Sequence, residues 1–381
     1  MSMPASDLVI GGGRCLLPGR GVVAADIVCS GEHIAEIRPA GASRGAVIDA
    51  TDCLVLPGIV DIHGDAFERQ IMPRPKVIFP LDMAMLDSDR QLVANGITTA
   101  FHGITISWEP GLRSLEQSMR VIESLDRLEP VLQADNRLHL RWETFALDEL
   151  DEVRRLLARP KTPLLAFNDH TTHLMKVADV RSAVSRHAER SMVEREGYLA
   201  LYEAVYARRA AVPAAIMALA ETARLHAVPM LSHDDRSPEE RAFYRGLGAS
   251  IAEFPITGDT LDASAKAGDV IVLGAPNVVR GGSHTGAINA EEAISNEQCT
   301  ILASDYYYPA PLRAALALVE RGTLPLEEAW MLISAAPATA AGLADRGRIA
   351  EGLRADLVVL CARERRPVAT ICAGRPVYRS R

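Results

Sequence analysis

The chain has 381 residues, of which 48% are hydrophobic and 24% charged, and a formal net charge of −8 at pH 7; these are the proportions of a folded globular protein with room for one large domain and one small one. The acidic balance excludes a broad nucleic-acid surface, which needs clustered Lys and Arg against phosphate, and leaves an anionic small molecule only a local basic pocket or a bound cation. Six cysteines lie far apart without a CxxC pair, which argues against both a disulfide scaffold and a zinc ribbon and for buried reduced thiols.

The start, MSMPASDLVI, lacks the basic and apolar regions of a signal peptide, and no run approaches the roughly 18 apolar residues of a membrane helix. A cytoplasmic protein with no membrane partner is the expectation. Residues 1–56 then read as short strands (DLVIGG, DIVCSG, HIAEIRP, AVIDA, CLVLPG) cut by Gly, Pro and Asp turns, the pattern of a β-meander. Eight apolar runs follow at βα spacing: LVLPGIVDIHGD, GITTAFHG, RLHLRWE, PLLAFNDH, VPMLSHDD, ASIAEFPIT, DVIVLGAPN and CTILASDYY. Between the fourth and fifth, a long stretch with apolar residues every three or four positions predicts more than one helix, with a break near Pro213. The end, ADLVVLCA, PVATICAG and RPVYRS, returns to short strands. The expected architecture is α/β, a (β/α)8 TIM barrel over 57–344 with a small β-sandwich domain formed by both termini, 1–56 and 345–381.

Metal-capable side chains recur on the carboxyl side of these runs. His63 and Asp65 follow the first, Glu143 ends the third, His170 the fourth, His233 the fifth and Asp305 the eighth. In a barrel that face carries the active site, so six residues scattered over the sequence would converge. His63 and Asp65 are two apart, and in extended backbone such side chains share a side. Three imidazoles and three carboxylates suit zinc, or manganese, iron or nickel, better than calcium. Glu143 is placed to bridge two ions. His102, in FHGI, reads equally as a substrate-side group or a hydrogen-bonded structural histidine, and each carboxylate taken alone reads as a helix cap.

LVLPGIVDIHGD resembles the first barrel strand of the amidohydrolase superfamily, and LPLEEAWMLISAAPATAAGLADRGRIAEGLRADLVVL resembles its return into the small domain. The superfamily's second histidine of the first motif is Asp65 here. With MPRPKVIFP, FNDHTT, SHDD, EFPIT, GAPNVVRGGSHTG and ASDYYYP, the resemblance narrows to the branch that hydrolyses alpha-D-ribose 1-methylphosphonate 5-triphosphate to the 5-phosphate and pyrophosphate in the C-P lyase pathway of phosphonate catabolism. It implies two divalent ions, zinc first among them, on His63, Asp65, Glu143, His170, His233 and Asp305. It also implies a phosphorylated ribose as substrate and a homo-oligomer.

The residues suggest roles in that chemistry. Asp305 is the expected proton acceptor and His284 a candidate donor to the leaving pyrophosphate. Two segments offer phosphate contacts: Arg74 with Lys76, and Arg280, Gly281, Gly282, Ser283 and His284, where the glycines let backbone N–H groups come close. The tyrosines 306–308 are expected to fill the barrel mouth. Two alternatives stand beside this reading: hydrolysis of a C–N bond at the same metals (deacetylase, deaminase or cyclic-amide hydrolase), and a silent scaffold that has kept the fold.

Overall fold

The computed structural model describes residues 8–43, 48–176, 180–282 and 288–380. Sixteen strands form two sheets of eight. The first contains β1 (Leu8–Leu17), β2 (Gly21–Ser30), β3 (His33–Pro39), β4 (Ile48–Asp49) and β5 (Cys53–Pro57). The barrel strands follow: β6 (Ile59–Gly64), β7 (Ile97–Ile106), β8 (Asp135–Glu143), β9 (Leu164–Asn168), β10 (Met230–His233), β11 (Ile251–Glu253), β12 (Val270–Gly274) and β13 (Ile301–Ala303). The last three, β14 (Leu357–Cys361), β15 (Arg366–Cys372) and β16 (Arg375–Arg379), return to the first sheet.

Both chain ends build the small sheet, in the order β16-β15-β14-β5-β1-β2-β3 with β4 also on β1. The meander expected over residues 1–56 holds for β1, β2 and β3. It breaks at β4 and β5, which run parallel to β1 on its other edge. That detour sets β5 between β1 and β14 and aims it into the barrel, because only Gly58 separates it from β6. A Cβ at Gly58 would lie 2.2 Å from Thr98 Oγ1, so the passage needs glycine. Six buried thiols include Cys15, Cys29, Cys53 and Cys361 in the apolar cluster of this sheet.

All eight runs read as barrel strands are strands, paired in parallel from β6 through β13. Most of them are largely apolar because both faces are covered, by helices outside and by the barrel core inside; β8 instead alternates polar and apolar residues. The ring closes between its first and last members. Asp305 N–H donates to His63 O at 2.9 Å and Asp65 N–H donates to Asp305 O at 2.9 Å. Below this seam Ser304 N–H donates to the buried Asp61 carboxylate at 2.9 Å. Burial raises Asp61 to about 6, opposed by its bonds to Ser304.

The long helical stretch resolves into Val180–Ser191, Arg195–Tyr206 and Val212–Leu225. Pro213 lies in the first turn of the last helix, where a missing N–H costs nothing. Among the described residues no helix is long and apolar enough to cross a membrane.

Candidate metal centre

Three strands end in the same backbone device. Asp234 and Phe254 directly follow β10 and β11 and Asp305 lies two residues beyond β13, with φ of 61°, 56° and 55°. Left-handed backbone is uncommon outside glycine, and Asp tolerates it better than most residues. Each of these N–H groups still bonds a neighbouring strand: Asp234 to Glu253 O, Phe254 to Val272 O and Asp305 to His63 O. The reversal therefore ends the strand without leaving a buried donor unpaired, and it swings Asp234 and Asp305 over the barrel mouth.

Three groups of metal-capable donors meet there, each with ligand atoms within 4.8 Å of one another: His63, Asp65 and Asp305; His170, His233 and Asp234; and His63, His233 and Glu253. The His63 and His233 rings stack with centroids 5.4 Å apart. Glu253 clamps both from below, accepting from His63 Nδ1–H on Oε1 and from His233 Nδ1–H on Oε2, each at 2.8 Å. With a carboxylate at each Nδ1, the proton sits on that nitrogen and the lone pair on Nε2.

Electrostatics keep the imidazoles unprotonated. Burial, helped by the Arg141 guanidinium, lowers His63 to about 3 and drives His233 well below its ordinary value. His139, buried beside them, is lowered to about 3 by burial against the pull of Glu253; neither of its ring nitrogens has a hydrogen-bond partner. The carboxylates show the reverse strain. Burial and then Asp65 raise Asp305 to about 7, and burial raises Glu253 to about 7 against the opposing charges of His139 and Arg141. His170 differs: burial disfavours its charge, but Asp234 and Glu143 outweigh it and raise the ring to about 9.

This donor set fits a divalent transition ion. Neutral imidazoles offer lone pairs, and Asp65, Asp234, Glu253 and Asp305 concentrate more negative charge than the nearby Arg141 offsets, which a cation would relieve. The donors open on a cavity of about 280 Å³ lined by His63, Asp65, His233, Asp234 and Asp305 together with Arg280, Gly282 and Tyr306.

Five of the six residues expected as ligands are thus brought together. Glu143 is not in any of the three groups. Its carboxylate accepts from the N–H groups of His170 and Thr171, from Thr171 Oγ1 at 2.8 Å and from His170 Nδ1 at 3.1 Å. It positions the loop after β9, where the expectation set it between two ions; the carboxylate that spans two histidines is Glu253.

Of the expected phosphate contacts, Arg280 and Gly282 line the cavity. Gly281 caps the helix Ala275–Arg280 in left-handed conformation with φ 74°. Ser283 and His284 lie outside the described residues. Arg74 and Lys76 do not line the cavity; the Lys76 side chain is 60% exposed and 3.9 Å from Glu194, because their loop turns outward. His102 is buried on β7, Nε2 2.6 Å from Asn136 Oδ1, the arrangement of a structural histidine. Tyr308 is buried, Tyr307 exposed, and Tyr306 stands at the cavity with Arg69 over its ring.

Sequence reasoning missed Asp234, Glu253, Arg141 and His139. The signal for the last two was the alternation His139, Arg141, Glu143 along β8, which puts all three on one face. For Asp234 and Glu253 it was a second acidic residue at two further strand ends.

Fold and site together define a hydrolase barrel with a candidate cation site, and the chain belongs to the amidohydrolase superfamily. Residues 285–378 match the model of the Amidohydrolase family. The chain is 34% identical over 338 residues, 85% of its length and 88% of the relative's, to the alpha-D-ribose 1-methylphosphonate 5-triphosphate diphosphatase of Escherichia coli strain K12. Among solved structures it resembles an amidohydrolase from a Sargasso Sea environmental sample (TM-score 0.66, 17% identity, 98% of this chain and 93% of that one). It also resembles an atrazine chlorohydrolase from Arthrobacter aurescens complexed with zinc (TM-score 0.66, 13% identity, 98% and 95%). At those identities the structures speak for the fold alone. The protein is a hydrolase of this superfamily, homologous to a diphosphatase.

Proposed function

We propose that the protein is a metal-dependent diphosphatase that cleaves alpha-D-ribose 1-methylphosphonate 5-triphosphate, or a closely related ribosyl triphosphate, into the 5-phosphate and pyrophosphate. The observation that carries the reading is the meeting of His63, Asp65 and Asp305 at the floor of a cavity whose wall bears Arg280 and Gly282. Cation ligands and a guanidinium suited to phosphate face one space. The 34% identity to the Escherichia coli diphosphatase supplies the substrate class.

His63, Asp65 and Asp305 would hold a divalent ion, with His170, His233 and Asp234 as the place for the second one the family resemblance implies. Such an ion, when bound, polarises a phosphoryl oxygen and lowers the pKa of water from about 16 to about 7. The residues do the rest. Asp305 takes a proton from the attacking water. Glu253 holds the His63 and His233 rings so that their lone pairs face the cavity. Arg280 neutralises and orients the polyphosphate, a task suited to a guanidinium fork, while Gly282, its N–H bonded to Asn277 O, leaves the cavity wall beside it free of a side chain.

Incubating purified protein, loaded with zinc or manganese, with a ribosyl 5-triphosphate and assaying pyrophosphate tests the proposal. Release well above that from metal alone is expected. Release no faster than the metal control, or release of single phosphates only, would sink it.

A further inference from the structure

Arg141 leaves β8 and enters the ring of imidazoles and carboxylates, with 4% of its surface exposed. Its Nη1 lies 3.2 Å from Asp65 Oδ2 and its Nη2 donates to His233 Nε2 at 3.0 Å. It therefore ties a member of one donor group to a member of another. The fold makes room for it. Adjacent strand β7 carries Gly103, where a Cβ would stand 3.2 Å from Arg141 Cδ and 3.8 Å from Asp65 Cβ.

The contact with His233 has a consequence for metal binding. A neutral imidazole has one lone pair. At His233 the Nδ1 proton is committed to Glu253, so that lone pair is on Nε2, where it accepts Arg141. A pair that accepts an N–H cannot at the same time coordinate an ion. His170, which would share that ion, stands between Glu143 Oε2 at 3.1 Å and Asp234 Oδ2 at 3.7 Å. The group His63, Asp65 and Asp305 is less encumbered, because Arg141 touches only one oxygen of Asp65 within it.

We propose that Arg141 fills the second cation position of this site, so that the enzyme holds one divalent ion, at His63, Asp65 and Asp305, with a fixed guanidinium in place of the other. The inference rests on the metal-dependent reading above and is independent of its substrate. A guanidinium keeps its charge at every working pH and can hold two phosphoryl oxygens in its planar fork. It supplies charge neutralisation without the water activation that an ion supplies. The substrate phosphate then sits between one ion and one arginine.

Metal counting tests this without reference to turnover. Wild-type protein saturated with Mn²⁺ and desalted is expected to hold one ion per chain by elemental analysis, with the electron paramagnetic resonance spectrum of an isolated ion. Arg141→Met, which keeps the length of the stem and frees His233 Nε2, is expected to hold two ions and to show exchange coupling between them. Two coupled ions in the wild type, or a folded Arg141→Met that still holds one, would overturn the proposal. If Arg141→Met does not fold, the wild-type count decides alone. A wild-type count of zero would overturn the metal-dependent reading as well, whereas failure of the pyrophosphate assay with one ion bound would remove only the substrate.

Discussion

Two clusters of buried charge lie side by side at the barrel mouth and behave in opposite ways. In the first, beyond β7, the Glu109 carboxylate accepts from His187 Nδ1 at 2.7 Å, Tyr198 Oη at 2.7 Å and Arg190 Nε at 3.1 Å. Next to it Arg113 grips Glu68 with both arms of its fork, at 2.9 and 2.8 Å. Burial works against the Glu109 charge, yet Arg190 and His187 outweigh it and hold the carboxyl well below its usual range. The space these residues share is about 10 Å³, scarcely room for one water. In the second cluster Asp305 and Glu253 are pushed the other way, to about 7, and the donors surround about 280 Å³. A charge network that satisfies itself is architecture; one that leaves carboxylates crowded around open space is built for something that enters it.

That contrast can be broken by mutation, and the largest effect belongs to the open cluster. Asp305→Asn keeps a residue tolerant of φ 55° and should fold normally while turnover falls by about 10²–10⁴-fold, the range of a lost acid–base group; near-normal pyrophosphate release would take Asp305 out of the chemistry. Glu109→Ala should do the converse. Stranding Arg190 and His187 costs about 3–5 kcal/mol of stability, read as a fall in thermal midpoint, while the metal content per folded chain stays at the wild-type value; a loss of metal would join the two clusters. Glu253→Gln sharpens the difference, since it leaves one acceptor oxygen for two imidazole N–H groups and faces the other with an NH2. Metal affinity should drop by about 10–100-fold, and an unchanged titration would leave Glu253 a bystander.

The smallest effect is a pH dependence of the metal-free protein. Above about pH 8 the lowered histidines are neutral whether the chain is folded or not, so they contribute no slope there. His170 at about 9, with Asp305 and Glu253 at about 7, has a folded value above its unfolded one. The stability such groups contribute is present at low pH and lost as pH rises through the folded value. Chelated protein should therefore lose thermal stability between about pH 8 and 9, where His170 dominates, and divalent metal should flatten that slope. A chelated protein that gains stability over this interval would mean that Asp234 and Glu143 do not hold His170 charged.

Much of this was legible in the chain. Strands buried on both faces announce themselves as unbroken apolar runs, so β6 to β13 could be read, and ligands at their carboxyl ends followed from barrel geometry. What could not be read was which way a polar residue inside a strand points. Arg141 and His139 lie in an alternating segment that looks like a strand with one wet face; only closure of the ring, through Gly64 and Asp305, makes that face an interior. Glu253 ends a three-residue strand and looks like a helix cap. For Glu143, strand position gave the rim but not the partners: the N–H groups of His170 and Thr171, set by the tight turn after β9, bond its oxygens. The long reach of β5 into the barrel, against a simple meander, depended on contacts with β14 some 300 residues away, which local pattern does not carry.

The central claim is that His63, Asp65 and Asp305, drawn from opposite ends of the barrel sequence, form one cation site. Anomalous diffraction from crystals grown with zinc tests it most directly. The account predicts a peak about 2.0–2.2 Å from the ligand atoms of all three side chains. A peak held by other residues, with these three uninvolved, would contradict it.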